Sequence, residues 1–92
     1  MSYLGPQNAT ITVVPGTTTS VTLFSETAKS SGRTIYNNSP GSLYVAFGTV
    51  ATAGSCTTVI ASGATYALPV PIYAGQVTGV WASAGTAMTT WW

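Results

Sequence analysis

The chain has 92 residues, enough for one domain with a single modest core, and a formal net charge of +1 built from two Lys or Arg and one carboxylate side chain. With no histidine and one cysteine, it lacks the acid, base, nucleophile or ligand set that catalysis at neutral pH requires, so no enzyme, metal centre or cofactor is expected. Two cations cannot neutralise a phosphate backbone, and no apolar run reaches the roughly 18 residues of a membrane helix, so neither nucleic acid nor membrane is an expected partner.

The first nine residues, Met1 to Ala9, carry Tyr3 and Leu4 in a polar stretch interrupted by Gly5-Pro6, with no periodicity. They read as an extended N-terminal arm. They also lack the basic and apolar regions of a secretory signal, which points to synthesis in the cytoplasm. The remainder, residues 10–92, reads as one domain.

Its first strand is expected at residues 10–14 and its second at 19–24, joined by Pro15-Gly16-Thr17. In such a hairpin Ile11 and Val13 on one strand and Val21 and Leu23 on the other would face inward. A polar loop over residues 25–32 follows and holds Glu26 and Lys29; Arg33 stands at its end. The third strand, 33–37, stops at the turn cluster Asn38-Ser39-Pro40-Gly41.

Alternation is clearest in the fourth strand, where Leu43, Val45 and Phe47 interleave with Ser42, Tyr44 and Ala46. Small residues 48–54 connect it to a second expected hairpin, 55–60 with 64–68, around Ala61-Ser62-Gly63. Pro69-Val70-Pro71 breaks the ladder, because proline donates no hydrogen bond to a sheet. Strands at 76–82, with Val77, Gly79 and Trp81 on one face, and at 87–92 complete the domain.

Seventeen Thr and ten Ser provide the polar surface, and Thr joins Val, Ile, Tyr and Trp in favouring extended strands. The expected fold is therefore all-β: a single-domain antiparallel β-sandwich or small barrel of about eight short strands. Strands of about five or six residues are too short for a membrane barrel, which needs roughly 9 to 11.

From Thr34 to Trp92 no Asp, Glu, Lys or Arg occurs. A surface so neutral has little electrostatic protection against self-association, which favours a part built to adhere to other protein. Cys56 has no partner within the chain and reads as a small buried hydrophobe. The matches Asn8-Ala9-Thr10 and Asn37-Asn38-Ser39 to the glycosylation pattern read as chance. Candidate contact residues are Tyr3 and Leu4 on the arm, Tyr73, Trp91 and Trp92 at or beyond strand ends, and Arg33, whose planar fork suits a partner's carboxylate.

Arg33-Thr34-Ile35-Tyr36-Asn37-Asn38-Ser39, Leu43-Tyr44-Val45-Ala46-Phe47-Gly48, Tyr66-Ala67-Leu68-Pro69, and Tyr73-Ala74-Gly75-Gln76-Val77-Thr78-Gly79-Val80-Trp81-Ala82 stand in that order. Over about residues 33–82 the chain resembles a family of small structural proteins of tailed-bacteriophage virions. In that family a polar Asn-Asn-Ser turn precedes a Leu-Tyr-Val strand, and a Gly-x-Trp strand follows a proline. The resemblance is greatest to capsid decoration, or cement, proteins. It implies a virion component on the capsid surface that bridges and stabilises capsid subunits, with the major capsid protein and copies of itself, as a homotrimer, for partners. The alternative is a receptor- or glycan-binding module of a tail or fibre.

Overall fold

The computed structural model describes residues 9–26 and 31–92. These form eight strands: β1 (Thr10–Gly16), β2 (Val21–Phe24), β3 (Arg33–Asn38), β4 (Leu43–Ala46), β5 (Thr58–Ile60), β6 (Thr65–Ala67), β7 (Val77–Trp81) and β8 (Gly85–Trp91), with no helix among the described residues. All pairings are antiparallel, and two sheets of four result, ordered β1-β8-β3-β6 and β2-β7-β4-β5. The expected β-sandwich of eight short strands is the observed one.

Period-two alternation builds the core. Ile35 and Ala87 from the first sheet meet Leu23, Phe24, Leu43, Val45, Val77 and Trp81 from the second, all buried in one cluster. Each large apolar side chain so buried contributes about 1.5–3 kcal/mol. In β7 every residue is buried, because the outer face of the second sheet is covered there as well. Val80 packs with Ala46 and Ala51, Thr78 Oγ1 donates to the Gly48 carbonyl, and the Ala51 N–H donates to Ser20 Oγ. The segment after β4 is thus folded back over its own sheet.

Neither expected hairpin forms. β1 pairs with β8 and β2 with β7, so the chain between them crosses from one sheet to the other. The crossing is anchored where Gly16 lies against the Trp81 indole, with a Cβ there falling inside the ring, and where the backbone N–H of Trp81 donates to the Thr17 carbonyl. With Val14 and Gly16 facing inward, the pleat turns the odd-numbered residues outward. Ile11 and Val13, expected in the core, are 68% and 57% exposed.

The connection between β5 and β6 also crosses from one sheet to the other. β5 pairs with β4 and β6 with β3, so residues 61–64 pass between the sheets instead of closing a turn within one. The Gly63 N–H donates to the Asn37 carbonyl and the Asn37 N–H to Ala64, which ties that crossing to β3.

Candidate functional site

β3 presents Arg33, Ile35 and Asn37 to the interior, all 1% exposed or less. Arg33 closes one end of the sandwich. Its Nη1 donates to the carbonyls of Tyr73 and Gly75, each at 2.8 Å, and its Nη2 to those of Ala74 at 3.3 Å and Ser25 at 3.4 Å. The guanidinium carbon lies 5.0 Å from the centroid of the Phe24 ring, within cation–π range. Burial pushes the Arg33 pKa below its ordinary value, yet arginine titrates so far above neutrality that the group stays cationic.

Aromatic rings assemble around that cation. Trp91 meets Phe24 edge to face at 5.9 Å, and Tyr73 stacks on Phe47 at 5.0 Å with planes 13° apart. Trp92 lies over Gly32, where a Cβ would overlap the indole, and the two residues exchange backbone hydrogen bonds. The fold therefore brings four of the six candidate residues, Arg33, Tyr73, Trp91 and Trp92, to one end. Thr10 pairs with Trp91, so the chain enters β1 at that end too.

Roles differ within this cluster. Arg33 was expected against a partner's carboxylate; it is instead an interior tie that holds residues 73–75 of its own chain. The reason is burial: its fork faces backbone carbonyls brought in by segments about 40 residues away. Trp91 and Trp92 are half-buried and Tyr73 is 36% exposed, so their outer edges remain available. Tyr3, Leu4 and Lys29 lie outside the described residues, and Glu26 is exposed.

Asn37 closes the opposite end. Its Nδ2 donates to the carbonyls of Gly41 at 2.9 Å and Ile60 at 2.8 Å, the latter on the other sheet, while its Oδ1 accepts from Ser39 Oγ at 2.6 Å. A side chain so committed is not presented as a glycan acceptor.

The open surface of the molecule is the outer face of the first sheet. Strand register sets it out in rows: Ile11, Thr90, Thr34, Ala67; then Val13, Met88, Tyr36, Thr65; then Pro15, Thr86, Asn38. None of these side chains is charged at neutral pH. Ile11, Val13 and Met88, the last 37% exposed, form an apolar corner where β1 runs along the sheet margin. Alternation alone does not say which face of a strand is inside, and so Ile11 and Val13 were expected in the core and not on this surface. Proline in β1 was the available signal, since proline belongs at sheet margins.

The second sheet offers a different feature, a cavity of about 340 Å³ on its covered side, lined by Thr18, Tyr44, Ala51, Thr52, Ala53, Val80, Trp81 and Ala82, again without charge. Cys56 is half-buried and unpaired. Among the described residues no three His, Cys, Asp or Glu stand close enough to hold a metal ion. In comparisons with known proteins, no family model, curated protein or solved structure matches this chain.

Proposed function

We propose that this chain is a non-catalytic structural protein of a virion that decorates the outer capsid surface and stabilises the shell by bridging copies of the major capsid protein. The observation that carries the reading is the uncharged open face of the first sheet, with Ile11, Val13 and Met88 exposed along one side. Such a face can adhere through apolar contact and hydrogen bonds, and it repels neither a shell nor another copy of itself. The resemblance over residues 33–82 supplies the kind of surface.

Specific attachment needs burial of only about 1,000 Å² or more, and repetition over a lattice multiplies modest contacts. The arm, residues 1–9, would reach a neighbouring subunit through Tyr3 and Leu4, while Tyr73, Trp91 and Trp92 add aromatic edges at the end from which the chain enters β1.

Co-sedimentation with undecorated capsids tests the reading. Saturable pelleting at a fixed ratio to the major capsid protein, nearly unchanged from low to moderate salt, is the expected result. Failure to pellet with any shell would sink it. A second reading, a ligand-binding module of a tail or fibre, is favoured by the uncharged cavity beside Tyr44. It expects saturable binding of a small neutral ligand by the free domain, lost in Tyr44→Ala.

A further inference from the structure

The hydrogen-bonding direction of β1 follows from the sheet itself. Gly32 and Trp92 exchange both backbone bonds, Gly32 N–H to Trp92 C=O at 3.2 Å and Trp92 N–H to Gly32 C=O at 3.1 Å, which makes them a closely spaced antiparallel pair. Bonded and non-bonded pairs alternate along such a ladder. Thr90, Met88 and Thr86 of β8 therefore face β3, and Trp91, Thr89, Ala87 and Gly85 face β1. Across the register, Thr10, Thr12, Val14 and Gly16 of β1 bond to β8. Ile11, Val13 and Pro15 direct their backbone groups away from the sheet.

Pro15, which has no N–H, thus faces the margin of the sheet, where no described residue requires one. Ile11 and Val13 leave two N–H and two C=O groups without partners among the described residues, beside two exposed β-branched side chains. The other three margins are closed to such pairing. β2 has four residues and its register breaks between Thr22 and Phe24; β5 and β6 have three each, and Pro69 follows β6 closely. β1 has seven residues in unbroken register.

We propose that β1 is a self-pairing edge: it bonds antiparallel, about a two-fold axis, to β1 of a second copy, joining two four-stranded sheets into one continuous sheet. The donor pattern selects the register. Ile11 opposite the partner's Val13, and Val13 opposite the partner's Ile11, exchange two reciprocal pairs of bonds that use every free donor of both residues. Pro15 then falls at the ends of the pairing, where its missing N–H interrupts nothing. Thr12 sits on the axis opposite its own copy. Ile11 and Val13 extend the apolar row of Met88 and Tyr36 into the partner's. An isologous contact sets like against like, and here no residue of β1 or of the adjoining rows is charged, so repulsion is absent. This inference is independent of the capsid reading, because pairing in solution requires no shell.

Sedimentation of the full chain over a wide concentration range tests it. A concentration-dependent species of twice the 9.4 kDa chain mass is expected. Val13→Pro removes a donor that no described residue accepts, so it should leave the near-ultraviolet dichroism of the fold intact and return the mass to 9.4 kDa. Ile11→Lys, at an exposed side chain, should do the same by placing like charges across the axis. In a Cys56→Ser background, Thr12→Cys should give a disulfide-linked dimer under mild oxidation, and Val50→Cys, exposed elsewhere, should not. A wild-type chain that stays monomeric at all concentrations, or an oligomer of any size indifferent to both Val13→Pro and Ile11→Lys, would overturn the proposal. Loss of self-pairing with retained capsid pelleting leaves the decoration reading standing; the converse leaves this one.

Discussion

The two ends of the sandwich are closed by the same device in different chemistry. At one end Arg33, and at the other Asn37, project inward from β3 and bond to backbone carbonyls of segments distant in sequence. A sandwich of short strands leaves its ends open, where loop carbonyls would be buried without donors at a cost of about 1–3 kcal/mol each. One long side chain satisfies several of them at once. The Arg33 end is charged, aromatic and partly open through Tyr73, Trp91 and Trp92; the Asn37 end is neutral and sealed.

The largest expected effect comes from breaking the charged end. Arg33→Met keeps apolar bulk but leaves the carbonyls of Tyr73, Ala74, Gly75 and Ser25 without that donor, and should cost about 3–5 kcal/mol by urea unfolding. A loss below about 1 kcal/mol would show that water or neighbouring groups serve these carbonyls equally well.

Next is Asn37→Asp, which separates the ends by pH. It removes both Nδ2 donors and points a carboxylate at the carbonyls of Gly41 and Ile60, so burial and repulsion raise its folded pKa above the unfolded value of about 3.9. A raised folded pKa means that the native state binds more protons, so stability falls as pH rises through that interval. The variant should lose about 2–4 kcal/mol at neutral pH and distinctly less near pH 4, as read by thermal melts at both. A pH-independent loss would mean that the carboxylate has turned out into water.

Each end also has a glycine beneath an indole, and these sharpen the contrast. Gly16→Ala would drive a methyl into Trp81, which is 1% exposed and packed in the core cluster, so a loss of about 1–3 kcal/mol is expected, about 4–8 °C in melting temperature per kcal/mol. Gly32→Ala meets Trp92, half-buried at the surface and able to swing aside. Its cost should stay below about 1 kcal/mol, with a change in tryptophan fluorescence as the clearer sign. Equal losses at both positions would show that the Arg33 end is as rigid as the other.

Much of the fold was legible because β structure writes a short period into the chain. Leu43 and Val45, read as one face of an alternating strand, and Val77, read on one face with Gly79 and Trp81, are fully buried, and Pro69 and the turn at Asn38 to Gly41 end strands where expected. Partner choice was not legible. A compact Gly-containing connection suits a hairpin within one sheet and a crossing between two, and the crossing here goes with the seat of Gly16 against Trp81, the Trp81–Thr17 backbone bond and the pairing of β1 with β8 and β2 with β7. That crossing reversed the faces of β1 and put Ile11 and Val13 outside. The candidate residues fared by their chemistry: aromatics at strand ends do gather, while Arg33, read from its polar neighbours as a surface group, is held inside by carbonyls about 40 positions away.

By itself the sequence determined what is set by composition and by local period: an all-β chain of eight short strands, poor in charge. Tertiary structure alone decided which strands are neighbours, which face of β1 meets solvent, and that a guanidinium and a carboxamide on one strand close opposite ends of the sandwich. Alternation repeats every two residues and is carried by the residues themselves, whereas pairing and burial depend on groups that only the folded chain brings together.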